Sequence, residues 1–492
     1  MVRMGFYLGF DFGTSSIKAA AINENGILQK TAIISVSMVS PRPGYFEVDI
    51  INQWLNGFLN VLHSLGIDII SQAEAICISS VCASFVPIDS SDRPLRNAIM
   101  YGIDTRAIEQ INVLNHSVPD DMLSSVSFSG FTTHSIIPKI IWIRENEPEI
   151  YNKTKYFVES SNLITSFLTG EYAWDKPTAA GAHLLDLRTH SYPQYLFEYI
   201  DIDKDKFPPL RAPLEILGGV TKKASELTGL PHGIPVSVGA CDINAEAFSC
   251  GSFDPGRLLI VFGSTISLLF TINKYVAIPG FIAGPSILDG TYRLGGATSS
   301  GGRYLEWLDK TLNIGNQWSS LDLYRPSELL MVPFLDGARL PYNDSHCRVL
   351  WYGMSNATEK TEYLKAAAES MGCEIYNLIS ILSQDLEIPA CLNVSGGLSS
   401  NLEFSKIISN VTGFVLKRFK NTNASFGDAL MALSSLKGVD QARLVLEKLE
   451  RLSDEVEIIE PDFALFQEYA SKRKAYMAAI EGIQKLITLD KE

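Results

Sequence analysis

Apolar residues recur with two different periods along this chain, and the switches between them outline its elements. Phe6–Phe12 is a continuous apolar run and Ile17–Asn23 a second one, with the turn-forming Gly13–Ser16 between them. That pattern predicts a β-hairpin, and Ile27–Ile34 predicts a third strand. In Gln53–Gly66 the period lengthens: Trp54, Phe58, Val61, Leu62 and Leu65 fall at helical spacing. Ala75–Val81 and Phe85–Asp89 return to strand. A chain that opens with an antiparallel hairpin and then alternates strand with helix is mixed α/β, and it does not begin as a simple Rossmann unit does.

After Pro231 and Gly233, the segment IPVSVGACD reads as a strand running into a loop. Leu258–Phe262 then enters FGSTISLLF, a strand, a Gly-Ser-Thr turn and a returning strand. Two such strand–turn–strand units about 250 residues apart predict two related domains facing each other. Farther on, Glu362–Leu382 predicts a long amphipathic helix, LNVSGG (392–397) a strand ending at glycines, and Asn401–Asn410 a helix. Another helix is expected to begin within Ala429–Leu436, and a last one to cover Asp462–Lys485. The turn-rich Ser252–Gly256 places the domain boundary just after Gly251, giving domains 1–251 and 252–492. A chain of 492 residues is too long for one core, which fits two domains.

Charge narrows the partners. The chain has 41 Lys and Arg against 55 Asp and Glu, a net −14 that repels nucleic acid and anionic lipid. An anionic nucleotide therefore needs a locally favourable site made of backbone N–H groups, helix ends or a metal. Seven cysteines without a C-x-x-C pair read as reduced thiols, not as a disulfide framework or a zinc site. The N-terminus lacks signal-peptide character, and the most apolar stretch, Leu258–Ile272, is interrupted by polar residues and too short to span a bilayer. These readings predict a soluble cytoplasmic protein.

Four short motifs carry candidate chemistry. FDFGTSS offers Gly13, Thr14 and Ser15 to a phosphate, and Asp11 at the strand end suits Mg²⁺, a hard cation that takes oxygen ligands. GACD ends at Asp242, a carboxylate able to accept the proton of an attacking hydroxyl, with small Gly239 and Ala240 allowing close approach. Gly263, Ser264 and Thr265 form a second candidate phosphate turn. In SGGLSSN, Gly396 and Gly397 leave space for a flat base against the backbone, and Ser400 or Asn401 can bond it or cap the next helix. No G-x-x-x-x-G-K-[ST] string occurs, so a nucleotide site of the P-loop type is excluded.

Taken in order, these segments resemble the FGGY carbohydrate kinase family over nearly the whole chain. YLGFDFGTSSIKAAAIN (7–23) looks like its first phosphate motif and PGYFEVD (43–49) its early Pro-Gly-aromatic segment. PKIIWIRENEP (138–148) matches its Pro-Lys-Leu-Leu-Trp signature, and FLTGEY and DLRT (186–189) also fit. GACDINAEAFSCG is similar to the segment bearing the catalytic Asp, here Asp242, and FGSTISLL to the second phosphate motif. PFLDGARLPYND (333–344) and SGGLSSNLEFSKIISNVTG resemble a Pro-x-Leu-x-Gly-x-Arg-x-Pro stretch and the adenosine motif. The resemblance implies two actin-like, ribonuclease-H-like domains with ATP, Mg²⁺ and a sugar in the cleft between them, and a homodimer by family habit. It implies in-line transfer of the γ-phosphoryl to a sugar hydroxyl, most simply that of a pentulose as in xylulose kinases.

The sugar pocket departs from the family pattern. Where pentulose kinases carry Gln-Met-His-Gly and glycerol kinases Gln-Arg-Glu, this chain has Val81-Cys82-Ala83-Ser84. The Trp-x-Asp-x-Arg segment becomes Tyr101-Gly102-Ile103-Asp104-Thr105-Arg106, retaining Asp104 and Arg106 but not the Trp. Ile243 stands where xylulose kinases tend to have Asn. Cys82, Ala83, Tyr101, Asp104, Arg106 and Asp242 are thus the expected sugar contacts, around a smaller, more apolar wall with room for a larger or less polar substrate. Cys82 reads as an inert wall thiol, His183 as a packed histidine and Trp142 as core. The alternatives are a kinase for a sugar acid or polyol, a sugar or nucleotide sensor without turnover, and a chaperone-like ATPase. Asp11 and Asp242 argue against the sensor, and the 138–148 signature against the ATPase.

Overall fold

The computed structural model describes residues 5–490 apart from 128, 129 and 453. Among the described residues the main architecture is two seven-stranded mixed sheets. The first contains β1 (Phe6–Phe12), β2 (Ser16–Ile22), β3 (Leu28–Ser35), β4 (Ala73–Ser80), β5 (Ile216–Gly219), β6 (Pro235–Ser237) and β7 (Ala240–Cys241). Its order is β5-β6-β4-β1-β2-β3, with β7 also paired to β4. The second contains β8 (Arg257–Phe262), β9 (Ile266–Ile272), β10 (Ile282–Pro285), β11 (Tyr292–Ala297), β12 (Cys391–Ser395), β13 (Val415–Phe419) and β14 (Val456–Ile459), in the order β10-β11-β9-β8-β12-β13-β14. Each sheet has an antiparallel meander, then two parallel strands, then an antiparallel edge strand. This is the duplication suggested by the two hairpins, and the fold is two-domain α/β.

Alternation along the strands decides which side chains reach the cleft. In β1, Phe6, Leu8, Phe10 and Phe12 enter the core beneath the first sheet, whereas Tyr7 belongs to the layer between the halves. Asp11 has the parity of Tyr7, so the two-residue period delivers it to the cleft face. In β4, Ile76 and Ile78 face the first core and Ala75 and Cys77 the shared layer. β8 repeats the arrangement, with Leu258, Ile260 and Phe262 in the second core and Leu259 in the shared layer.

The shared layer is closed by the helix Ala424–Lys437, which packs on β1, β4 and the helix Asp242–Ser249. The approach demands Gly427, since a Cβ there would overlap the backbone carbonyl of Ala245. Asp428 of this helix accepts a hydrogen bond from Ser79 Oγ at 2.7 Å, tying the second half to the first sheet. The expected helix over Gln53–Gly66 instead begins with a π-helical turn at Ile50–Leu55, capped by the Asp49 carboxylate, and continues as α-helix over Asn56–Leu65. The helix expected within Ala429–Leu436 begins at Ala424, where Asn423 caps it. No described helix is long and apolar enough to cross a membrane.

Candidate active site

Three parallel strand ends assemble the site. Asp11 on β1 is in register with Ser79 on β4, and Cys241 on β7 with Ser80, so Asp11, the Val81–Ala83 turn and Asp242 emerge side by side. Carboxyl ends of parallel strands are where open α/β sheets present their ligand sites. Gly239 makes the turn into β7 with φ +82°, and a Cβ there would strike the carbonyl of Ile78. Asp242 is then the first residue of the helix Asp242–Ser249, its Oδ1 accepting the Ile243 N–H at 2.8 Å.

Two cavities meet at this point. One, of about 310 Å³, is walled by Val81, Cys82, Ala83, Tyr101, Ile103 and His134 from the first half and by Ser264, Thr265, Arg293 and Arg339 from the second. The other, of about 510 Å³, is lined by Asp11, Lys18, Glu246, Gly263, Ser395, Gly396, Gly397 and Ser400. Asp242, Ile243 and Ser267 border both. Gly13, Thr14 and Ser15 form the hairpin turn, with Gly13 N–H donating to Ser16 O at 2.9 Å, but they line neither cavity. Asn401 is outside both as well, its side chain capping the helix Leu402–Thr412 through the Phe404 N–H at 2.8 Å.

Asp104 and Arg106 do not reach the cavity wall. Arg106 holds Asp104 through Nε and Nη2, at 2.9 and 2.8 Å, and Glu47 at 3.0 Å. Its guanidinium lies 4.6 Å from the Tyr45 ring and 5.1 Å from Trp142. Asp104 Oδ2 also accepts the Phe46 N–H at 2.7 Å. The retained spacing therefore serves a buried network that shapes the Tyr101–Arg106 loop. Lys139 of the 138–148 signature supports the same loop by donating to the carbonyls of Met100 and Tyr101 at 2.8 and 3.1 Å.

At Gly102, where the family's Trp is missing, the space is not left empty. A Cβ at 102 would strike the His134 ring, so an imidazole from a distant segment fills the space freed by the missing side chain. His134 faces the cavity, and burial together with Arg339 and Lys139 lowers its pKa to about 3, leaving it neutral. His183, read as packed, is buried with Nδ1 at 2.7 Å from Ser135 Oγ.

Family models decide the class. The N-terminal domain model of the FGGY family of carbohydrate kinases matches residues 6–249, and the C-terminal domain model matches 258–436. The chain belongs to the FGGY family of carbohydrate kinases. It is 22% identical to the xylulose kinase of Escherichia coli K12 over 98% of this chain and all of that one. It is 26% identical to the probable L-xylulose kinase of Haemophilus influenzae, again over 98% and 100%. The crystal structure of xylulose kinase from Rhodospirillum rubrum superposes with a TM-score of 0.88 at 22% identity, covering 98% of this chain and 99% of that one. The gluconate kinase from Lactobacillus acidophilus has the same fold, with a TM-score of 0.88 at 19% identity over 98% of both chains.

In this FGGY kinase the seam between the cavities is acidic and partly buried. Burial, then the neighbouring Cys241 sulfur and Asp11, raise Asp242 well above the usual carboxylate range. Burial also raises Asp11, opposed by Lys18 at 3.6 Å, its cross-strand neighbour. Glu246, one helical turn beyond Asp242, is pushed up to about 7 by burial, although Ser395 Oγ donates to it. Sequence reasoning missed Glu246; its i, i+4 spacing from Asp242 was the available signal. It also missed Arg293, which crosses from β11 into the first half, donating to Asn244 Oδ1 at 2.9 Å and Pro177 O at 2.7 Å. Asp11, Asp242 and Glu246 line one cavity with carboxylate oxygens, the ligand type a hard cation such as Mg²⁺ takes, although the three do not all lie within 4.8 Å of one another.

Proposed function

We propose that this kinase transfers the γ-phosphoryl of ATP to a hydroxyl of a pentulose, with Asp242 as general base. The observation carrying this reading is that Asp242 borders both cavities, so it stands where a sugar on one side meets a triphosphate on the other. Glycines 396 and 397 leave the second cavity open for adenosine, and Ser400 lies beside them. The Gly263–Thr265 turn, which borders the two cavities, supplies hydroxyls and N–H groups toward the phosphates, and Gly13–Ser15, outside both linings, would join it by an inward movement of their hairpin turn. Cys82, Ala83 and Tyr101 contact the sugar; Asp104 and Arg106 act only through the loop they brace.

The acceptor hydroxyl is held by Asp242, which takes its proton as the new P–O bond forms. Burial holds the proton affinity of this carboxylate above that of an exposed aspartate, which favours taking the hydroxyl proton as transfer proceeds. Asp11 and Glu246 would hold Mg²⁺, whose chemistry is to offset phosphate charge. The domains divide at 251/252, and the enzyme acts in the cytoplasm as a homodimer, its seven thiols reduced.

A second reading, a sugar acid as acceptor, is favoured by one observation. Arg339 in the sugar cavity wall is in no ion pair among the described residues, and Arg293 donates to two neutral oxygens and a sulfur. Following ADP release with Mg·ATP and a panel of pentuloses, hexoses, sugar acids and polyols tests both. A preference for pentuloses supports the first reading and a preference for sugar acids the second. No response from any sugar, with ATP bound, would refute both.

A further inference from the structure

We propose that Cys82, Cys241 and Asp242 form a binding site for a thiophilic divalent cation of the zinc class on the wall of the sugar cavity. Cys82 follows the end of β4, and Cys241 is in register with Ser80 of that strand, so the sheet itself brings two cysteines far apart in sequence together. The two sulfurs and a carboxylate oxygen of Asp242 all lie within 4.8 Å of one another. Two sulfurs on one tetrahedral zinc, each bonded at ~2.3 Å, sit ~3.8 Å apart. Small side-chain movements therefore suffice to close three ligands on one ion.

Charge and access agree with this assignment. Two thiolates and a carboxylate carry three negative charges, against two from the cation and one from Arg293, whose Nη1 lies 3.7 Å from Cys241 Sγ. The ligand sphere is thus neutral as a unit, and each thiol releases its proton when the metal binds. Cys82 and Asp242 face the cavity, leaving the fourth tetrahedral position open on that side, while Cys241 is buried behind them. Ligand softness separates this site from the oxygen-only set around Asp11, because thiolates select zinc-class ions over magnesium. Occupation would take Asp242 away from the acceptor hydroxyl and block the sugar, so the site is inhibitory.

The proposal uses Asp242 but does not depend on which sugar is phosphorylated, so its failure and that of the kinase assay are separable. The test is titration of the full chain, free of nucleotide, with Cd²⁺, following the ultraviolet thiolate-to-cadmium band and then displacing Cd²⁺ with Zn²⁺. One tightly bound Cd²⁺ per chain is expected. Cys82→Ser and Cys241→Ser should each weaken it by more than ~100-fold, beyond the loss seen when only a supporting group is removed. Cys391→Ser, whose thiol lies at the far end of β12, should leave the band unchanged. If Cys241→Ser does not fold, Cys82→Ser alone decides, since Cys82 is only half-buried. A band that survives in Cys82→Ser, or no band in the wild-type chain, overturns the site.

Discussion

Replacing Glu246 by Gln tests the electrostatics of the seam without touching the proposed base. The carboxyl lies in the cavity shared with Asp11 and Asp242, and its pKa is about 7 in place of 4.5. At about 1.4 kcal/mol per pH unit, that displacement corresponds to about 3 kcal/mol. Water entering the cavity screens part of it, so about 1–3 kcal/mol is expected. The sign follows from proton binding: the folded state holds the proton more tightly than the unfolded chain. The contribution of Glu246 to wild-type stability is therefore fully present below about 4.5 and is lost as pH rises through about 7, where the folded carboxyl ionises. Gln has no proton to lose and still accepts from Ser395. Unfolding midpoints in urea, measured across pH, should show no gain for Glu246→Gln in acid and the full gain above about pH 8. A gain independent of pH, or one confined to acid, would refute the argument.

The remaining predictions concern single residues. Asp242→Asn should lower turnover by ~10²–10⁴-fold while ATP still binds, checked by ADP release and nucleotide titration; near-normal turnover would mean another base. Asp11→Ala should raise the magnesium concentration needed for half-maximal rate, and an unchanged requirement would contradict its role. Arg106→Ala should destabilise by ~3–5 kcal/mol, because Asp104 loses its buried partner while Glu47 keeps Arg96, and it should raise the sugar KM of the folded enzyme by loosening the loop that carries Tyr101. Gly427→Ala should destabilise by ~1–3 kcal/mol or more, read from thermal unfolding, since the added methyl meets the Ala245 backbone rather than a movable side chain.

Much of the catalytic frame was legible because it obeys local rules. Apolar runs broken by Gly-Ser-Thr turns are hairpins wherever they occur, and the two-residue period of β1 alone sends Asp11 to the face opposite Phe10 and Phe12. The segments read as candidate phosphate, base and adenosine motifs could be picked out because each is a strand end followed by a tight turn, a unit only a few residues long. Gly396 and Gly397 could be read as room for a base without knowing what lies opposite. Helix starts were less legible: the Ala424 end rests on an Asn423 cap, a side-chain bond that hydrophobic periodicity does not register.

The sugar cavity resisted reading because its wall is built from pairings between distant segments. Gly102 suggested empty space, but the imidazole that fills it arrives from residue 134, in a region whose helices left no clear period. Asp104 and Arg106 kept a family spacing, and spacing says nothing about direction: Arg106 turns toward Glu47 and Trp142 and pairs there with Asp104, away from the cavity wall. Cys82 was read as an inert wall thiol, and its neighbour Cys241 is adjacent only across β4 and β7. In each case a residue's meaning depends on the group it meets across the fold. Variation in sugar preference should therefore arise through such partners, with a change at His134 felt at Gly102, while the strand-end carboxylates proposed for phosphoryl transfer stay in place.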